Sequence, residues 1–132
     1  MELQGKQLKF GFLGAERFDD FAGLRKHRTL NGILYSVIDE QKRIGKKYEK
    51  PFDELTDEQK SEHVMDIKTG EVISIFSAFC NIDRKEAGGL LDKELESGKS
   101  LPEIMAALFM ELFSSPLYTA IKVKDANPKQ PK

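Results

Sequence analysis

Three times from residue 56 onward, a Thr, Asp or Ser is followed three residues later by Gln or Glu, and an apolar repeat of helical period begins at once. The pairs are Thr56 with Gln59, Asp83 with Glu86, and Ser100 with Glu103. In such a box the first side chain accepts a backbone N–H of the opening helical turn, while the second reaches back to the N–H of the first. A chain punctuated in this way is committed to a succession of short helices.

The apolar spacing fills in the pattern. A helix from Asp57 is expected to break near Thr69-Gly70, after which Val72, Ile75, Phe76 and Phe79 form one stripe. Ala87, Leu90, Leu91 and Leu95 form the next, closed by Gly98 as a C-terminal cap. Leu101, Ile104, Met105, Leu108, Phe109, Leu112 and Phe113 make the most hydrophobic segment, which Pro116 ends or bends. Leu117, Tyr118 and Ile121 fit one further turn. Upstream, Phe18, Phe21, Ala22 and Arg25 suit a short amphipathic helix ending near His27, and Leu30, Ile33, Leu34, Val37, Ile38 and Ile44 a longer one stopping at Gly45. Residues 48–55, which include Pro51, read as a loop.

The first residues have a different period. Leu8, Phe10 and Phe12 alternate with Gln7, Lys9 and Gly11, which predicts a strand with one apolar face. Gly5-Lys6 would form the turn of a β-hairpin spanning about residues 1–13, with Leu3 in the partner strand. Two strands are barely stable alone, so the hairpin must dock on helices. The expected fold is therefore mainly α: a short N-terminal β-hairpin, then a bundle of five to seven short helices. One domain covers residues 1–122, and residues 123–132, with two Pro and no apolar period, form a disordered polar tail.

Composition narrows the function classes. The length of 132 residues suits one domain, and nine Phe supply aromatic bulk for its core. Cys80 is the single cysteine, which excludes an internal disulfide and a Cys-based metal cluster. No signal-peptide core and no membrane-length apolar run is seen, so the protein is expected to stay in the cytoplasm, away from any membrane.

The net charge of −1 is unevenly spread: residues 1–51 hold eleven Lys/Arg against seven Asp/Glu, and residues 52–115 hold six against fourteen. Lys42-Arg43, Lys46-Lys47 and Lys50 form the one basic cluster, at a probable helix end where cations are favoured. Nucleic acid is thus not the expected partner.

No catalytic, cofactor or metal site can be assembled from the sequence. His27 sits in the basic run Arg25-Lys26-His27-Arg28 and is expected to be exposed. His63, three residues before Asp66, is expected on the polar side of an acidic helix, where such a pair is ordinary. Cys80 has no neighbouring cation in sequence and reads as structural. Gly88-Gly89 lacks the Lys-Ser/Thr end of a phosphate loop and reads as a close helix contact. The remaining candidate is apolar surface: Met105, Phe109, Met110, Phe113 and Tyr118 are expected to line a protein-binding groove or a homo-oligomer contact.

The order of these features resembles a known family. Lys9-Phe10-Gly11-Phe12 and Gly14-Ala15 passing into a helix look like the opening of tail assembly chaperones from long-tailed phages and prophages of Gram-positive bacteria. Asn81-Ile82-Asp83-Arg84-Lys85-Glu86, the linker over residues 96–103 and Ser114-Ser115-Pro116 are similar to the family's later layout, and the resemblance covers residues 3–118. It implies a non-enzymatic protein, absent from the virion, that keeps the tape measure protein soluble and promotes polymerisation of the tail tube protein around it. It also implies a frameshift junction, which the polar Asn127-Pro128-Lys129-Gln130-Pro131-Lys132 would suit. The alternatives are a small cytoplasmic helical adaptor or a DNA-binding regulatory protein.

Overall fold

The computed structural model describes residues 1–63 and 67–120. Its hairpin is tighter than the apolar alternation predicts. Strands β1 (Glu2–Leu3) and β2 (Lys6–Gln7) pair antiparallel, with Glu2 opposite Gln7 and Leu3 opposite Lys6. The turn is Gln4-Gly5 rather than Gly5-Lys6, and both residues have positive φ, 50° and 86°. That is the combination a two-residue turn needs to match the strand twist. Leu3 and Leu8 are buried, whereas Phe10 is half-buried and Phe12 exposed. The expected strand over residues 7–12 ends at Gln7. From there the Lys9 N–H donates to the Phe79 carbonyl (2.9 Å), and the Phe10 ring packs against the Phe79 ring at 5.2 Å.

Helix α1 (Phe12–Arg25) begins earlier than its apolar pattern suggests, with extended Gly11 as N-cap. Gly14 lies inside it. A Cβ at this position would stand 2.5 Å from Cδ1 of Phe79, so only glycine lets the helix lie directly on that ring. Phe18 and Ala22 bury the same side. Lys26, at φ 57°, closes the helix in the left-handed region.

Helix α2 (Leu30–Tyr48) starts at Thr29, whose side chain accepts the Gly32 N–H, while Asp19 accepts the Leu30 N–H (2.9 Å). It buries Leu30, Ile33, Leu34, Val37 and Ile44 and runs through Gly45 instead of stopping there. Gly45 serves the return of the chain: a Cβ would meet the Lys50 carbonyl oxygen at 2.7 Å. A 3₁₀ turn, Phe52–Glu54, follows, and then α3 (Asp57–Lys60), opened by the expected Thr56–Gln59 box with both bonds made.

Helix α3 does not continue to Thr69-Gly70. Those residues start a separate helix, α4 (Thr69–Cys80), because the Glu71 carboxylate turns back to accept the Lys68 N–H (2.9 Å). Helix α4 is the centre of the fold, with Val72, Ile75, Phe76, Ala78 and Phe79 all buried, and α1 packs along it. Asn81, in the left-handed region, turns the chain into α5 (Arg84–Glu96), which also packs on α4. Asp83 caps α5 by accepting the Glu86 N–H (2.7 Å), and Gly98, at φ 103°, ends the turn beyond it.

Helix α6 (Leu101–Phe113) opens on the expected Ser100–Glu103 box and buries Ile104, Met105, Leu108, Phe109 and Leu112. Residues 116–120 form a further helical turn that buries Leu117. The fold is thus mainly helical behind a short N-terminal antiparallel hairpin. The predicted tail and Ile121 lie outside the described residues, as does Asp66. No helix among the described residues is long and apolar enough to cross a membrane.

Candidate partner-binding surface

The polar groups singled out in the sequence are drawn into packing. His27 is half-buried rather than exposed, because its ring lies against Gly70: a Cβ there would meet Cε1 at 2.9 Å. His63 is also half-buried and outside any helix, with its ring edge-on to Phe52 at 5.8 Å. Burial pushes its pKa down, and Glu40 only partly opposes this. Neither His27 Nδ1 nor His63 Nε2 has a hydrogen-bond partner among the described residues. Cys80 ends α4 half-buried, and burial raises its thiol pKa, so it is held as the unreactive thiol.

The most buried charge is one that sequence inspection passed over. Glu71 is 1% exposed and accepts four donors: the Lys68 N–H, the Arg28 N–H (3.2 Å), Arg28 Nε (3.3 Å) and Arg28 Nη2 (3.0 Å). Burial alone would raise its pKa, but the Arg28 bonds and the two backbone N–H groups hold it below the ordinary carboxylate range. With its lone pairs occupied in this way, it is a clamp between the α1–α2 connection and the start of α4. Beside it, Arg84 donates from Nε to the Ser74 hydroxyl (3.0 Å) and from Nη2 to the Gly70 carbonyl (3.1 Å), so the same junction is pinned from α5. The signal in the sequence was a lone Glu within an otherwise apolar helix.

The basic cluster of α2 is partly neutralised by neighbours. Arg43 pairs with Glu40 (2.8 Å) and Lys47 with Glu62 (2.7 Å), and Tyr48 also donates to Glu62.

The five residues expected to form a protein-binding surface do not share one. Met105 (1% exposed) and Phe109 (4%) belong to the core, because α6 turns that side inward against the other helices. Phe113 and Tyr118 are half-buried and continue a ladder of rings outward. Phe109 stacks on Phe113 at 5.9 Å, and Phe113 meets Tyr118 edge-on at 4.8 Å. Met110 alone is freely exposed, at 69%. At about 100° per residue it faces away from the buried stripe.

An apolar groove lies elsewhere, where α4, α5 and the first turn of α6 meet. It encloses about 200 Å³ and is lined by Val72, Ile73, Leu91, Leu95, Leu101 and Ile104. Leu95 and Leu101, on either side of the α5–α6 turn, leave 46% and 39% of their surface open. Gly88 is in its wall, and the missing side chain keeps it open: a Cβ there would stand 3.9 Å from Ile73 Cδ1, an ordinary contact. Asp92 also lines it and has no ion-pair or hydrogen-bond partner among the described residues. Further exposed apolar side chains, Phe12, Leu13 and Leu24, stand on α1. The groove was hidden in the sequence because its leucines belong to stripes that otherwise read as core.

No protein-family model, curated protein or solved structure matches this chain.

Proposed function

We propose that the protein is a non-enzymatic assembly chaperone of a long-tailed phage or prophage, acting in the host cytoplasm without a cofactor. It binds and solubilises the tape measure protein and promotes polymerisation of the tail tube protein around it. The observation that carries this reading is the open apolar groove between α4, α5 and α6, bordered by half-exposed Leu95 and Leu101. A holdase must present apolar surface to its client while charge elsewhere keeps the complex dispersed. The choice of client rests on the resemblance of residues 3–118 to the tail chaperone family.

The test begins with the coding DNA. A slippery heptamer near residue 127, an overlapping −1 frame and a long helical reading frame downstream are expected. Co-expression of this chain with the product of that long frame should then move the product into the soluble fraction and allow the two to be purified together. A plain stop codon among unrelated genes, or a downstream product equally insoluble with and without the chain, overturns the reading.

A further inference from the structure

We infer that His63 is a proton-sensitive latch: on taking up a proton it frees the segment over residues 49–63 from the C-terminal half of α2, while the main core stays closed. The latch is independent of which client the protein binds.

The segment has a small apolar centre of its own. Gly45 lets the chain fold back against α2, where the Lys50 N–H donates to the Gly45 carbonyl (3.0 Å) and the 3₁₀ turn packs on the helix. Ile44 of α2 and Leu55 of the returning chain are both buried, yet neither belongs to the main apolar cluster. At the far end, Lys47 (2.7 Å) and Tyr48 donate to Glu62 and tie the segment back to α2. A unit built around a separate cluster can open without the rest of the fold.

His63 closes this unit and has no room for a second proton. Its ring stands edge-on to Phe52, and its Nε2 is buried with no partner among the described residues. From α2, Glu40 and Arg43 act on it, but Glu40 already accepts two bonds from Arg43 (2.9 and 2.8 Å). Glu62, its neighbour in sequence, is engaged by Lys47 and Tyr48. From α3, Lys60 Nζ lies 5.9 Å over the same Phe52 ring, and Asp53 and Glu54 on the 3₁₀ turn are exposed. An imidazolium would thus be desolvated among Arg43, Lys47 and Lys60, with both neighbouring carboxylates occupied.

The sign of the effect follows. Burial, aided by Arg43 and only partly opposed by Glu40, holds the His63 pKa below its ordinary value, so the closed segment favours the neutral ring. Once released, the ring regains an ordinary pKa of about 6.5. Closure is therefore at full strength above about pH 6.5 and weakens as pH falls toward the lower value of the closed state. Opening uncovers Ile44 and Leu55 at a pH well above that at which the Glu71 clamp titrates.

The experiment is amide exchange by NMR on the full chain at pH 7.5 and 5.5, expressed as protection relative to the unfolded chain. The Lys50 and Leu55 amides, bonded to the Gly45 and Phe52 carbonyls, should be less protected than those of Ile75 and Phe76 in α4 at both pH values. Acidification should lower their protection by about two- to tenfold, the upper bound being that of a ring kept wholly neutral while closed. In His63→Phe, which keeps a ring against Phe52, that fall should vanish. In the parent chain, the His63 Cε1–H resonance should titrate with a midpoint below about 6.5. Protection equal to that of α4 overturns the latch, because the segment would then open only with the whole chain. So does protection that ignores pH, a fall of the same size in His63→Phe, or an ordinary or raised His63 midpoint.

Discussion

The two faces of α4 are built on opposite principles. At its N-terminal end, Glu71 is buried with every contact made, clamped by Arg28 and Lys68, while Arg84 fastens the same turn from α5. Where α4 meets α5 and α6, Val72 and Ile73 line an open space in which Asp92 has no partner among the described residues. A closed polar network gives rigidity; an open apolar space leaves room for a side chain at little structural cost. Substitutions should therefore separate the two regions by their energetic weight.

Within these two regions the largest effect belongs to Glu71→Ala, which leaves the Arg28 guanidinium and the Lys68 N–H without their acceptor. The expected loss is about 3 kcal/mol, at the lower end for a broken buried pair because Arg28 is partly exposed and screened by water. A shift in the urea midpoint with unchanged m-value measures it. The same clamp gives a pH signature. Its folded pKa is depressed, so its contribution is complete above the unfolded value of about 4.3 and is lost as pH falls through the lower folded value. The acid limb of stability should flatten in Glu71→Gln.

Next is Gly14→Ala, whose Cβ would overlap Phe79; about 1–3 kcal/mol of destabilisation is expected from overpacking. Gly88→Ala is the counterpart in the open region. Its Cβ meets only an ordinary contact, so the gain in helix propensity should stabilise the protein by about 0.5–1 kcal/mol in thermal unfolding. The contrast between the two regions collapses if Gly88→Ala proves as costly as Gly14→Ala. Met110→Asp should be the mildest, within about 0.5 kcal/mol of the parent because the side chain faces water. Phe109→Asp, one residue earlier, should unfold the chain, and the pair of circular dichroism spectra would show which side of α6 is core.

Much of this fold was legible. The box at Thr56 and that at Ser100 form complete, Asp83 caps α5 with its side chain, and Gly98 ends it, because capping is decided within four residues and needs no tertiary help. What failed depended on distant partners. Gly45 reads as a stop, yet it sits inside a helix where the returning Lys50 carbonyl forbids a side chain, and the need for glycine at position 14 comes from the remote Phe79 ring. Leu8, Phe10 and Phe12 alternate like a strand, but the contact with Phe79 turns that stretch into the approach to α1. The candidate surface was less legible than the fold. Periodicity identifies an apolar side of α6 without telling which helices cover it, so Met105 and Phe109 were indistinguishable from surface anchors, and the groove framed by Leu95 and Leu101 had no signature of its own.

The N-terminal hairpin ties the earliest residues to some of the latest. Gln4 donates to Glu94, Lys6 pairs with Glu86 at 3.7 Å, and Lys9 bonds to Phe79. On a translating ribosome, where roughly 5–20 residues are added per second, β1 and β2 must wait several seconds for α5 to emerge before they have anything to close against. Until that moment Leu3 and Leu8 remain uncovered, and the nascent chain exposes apolar residues that the finished protein conceals.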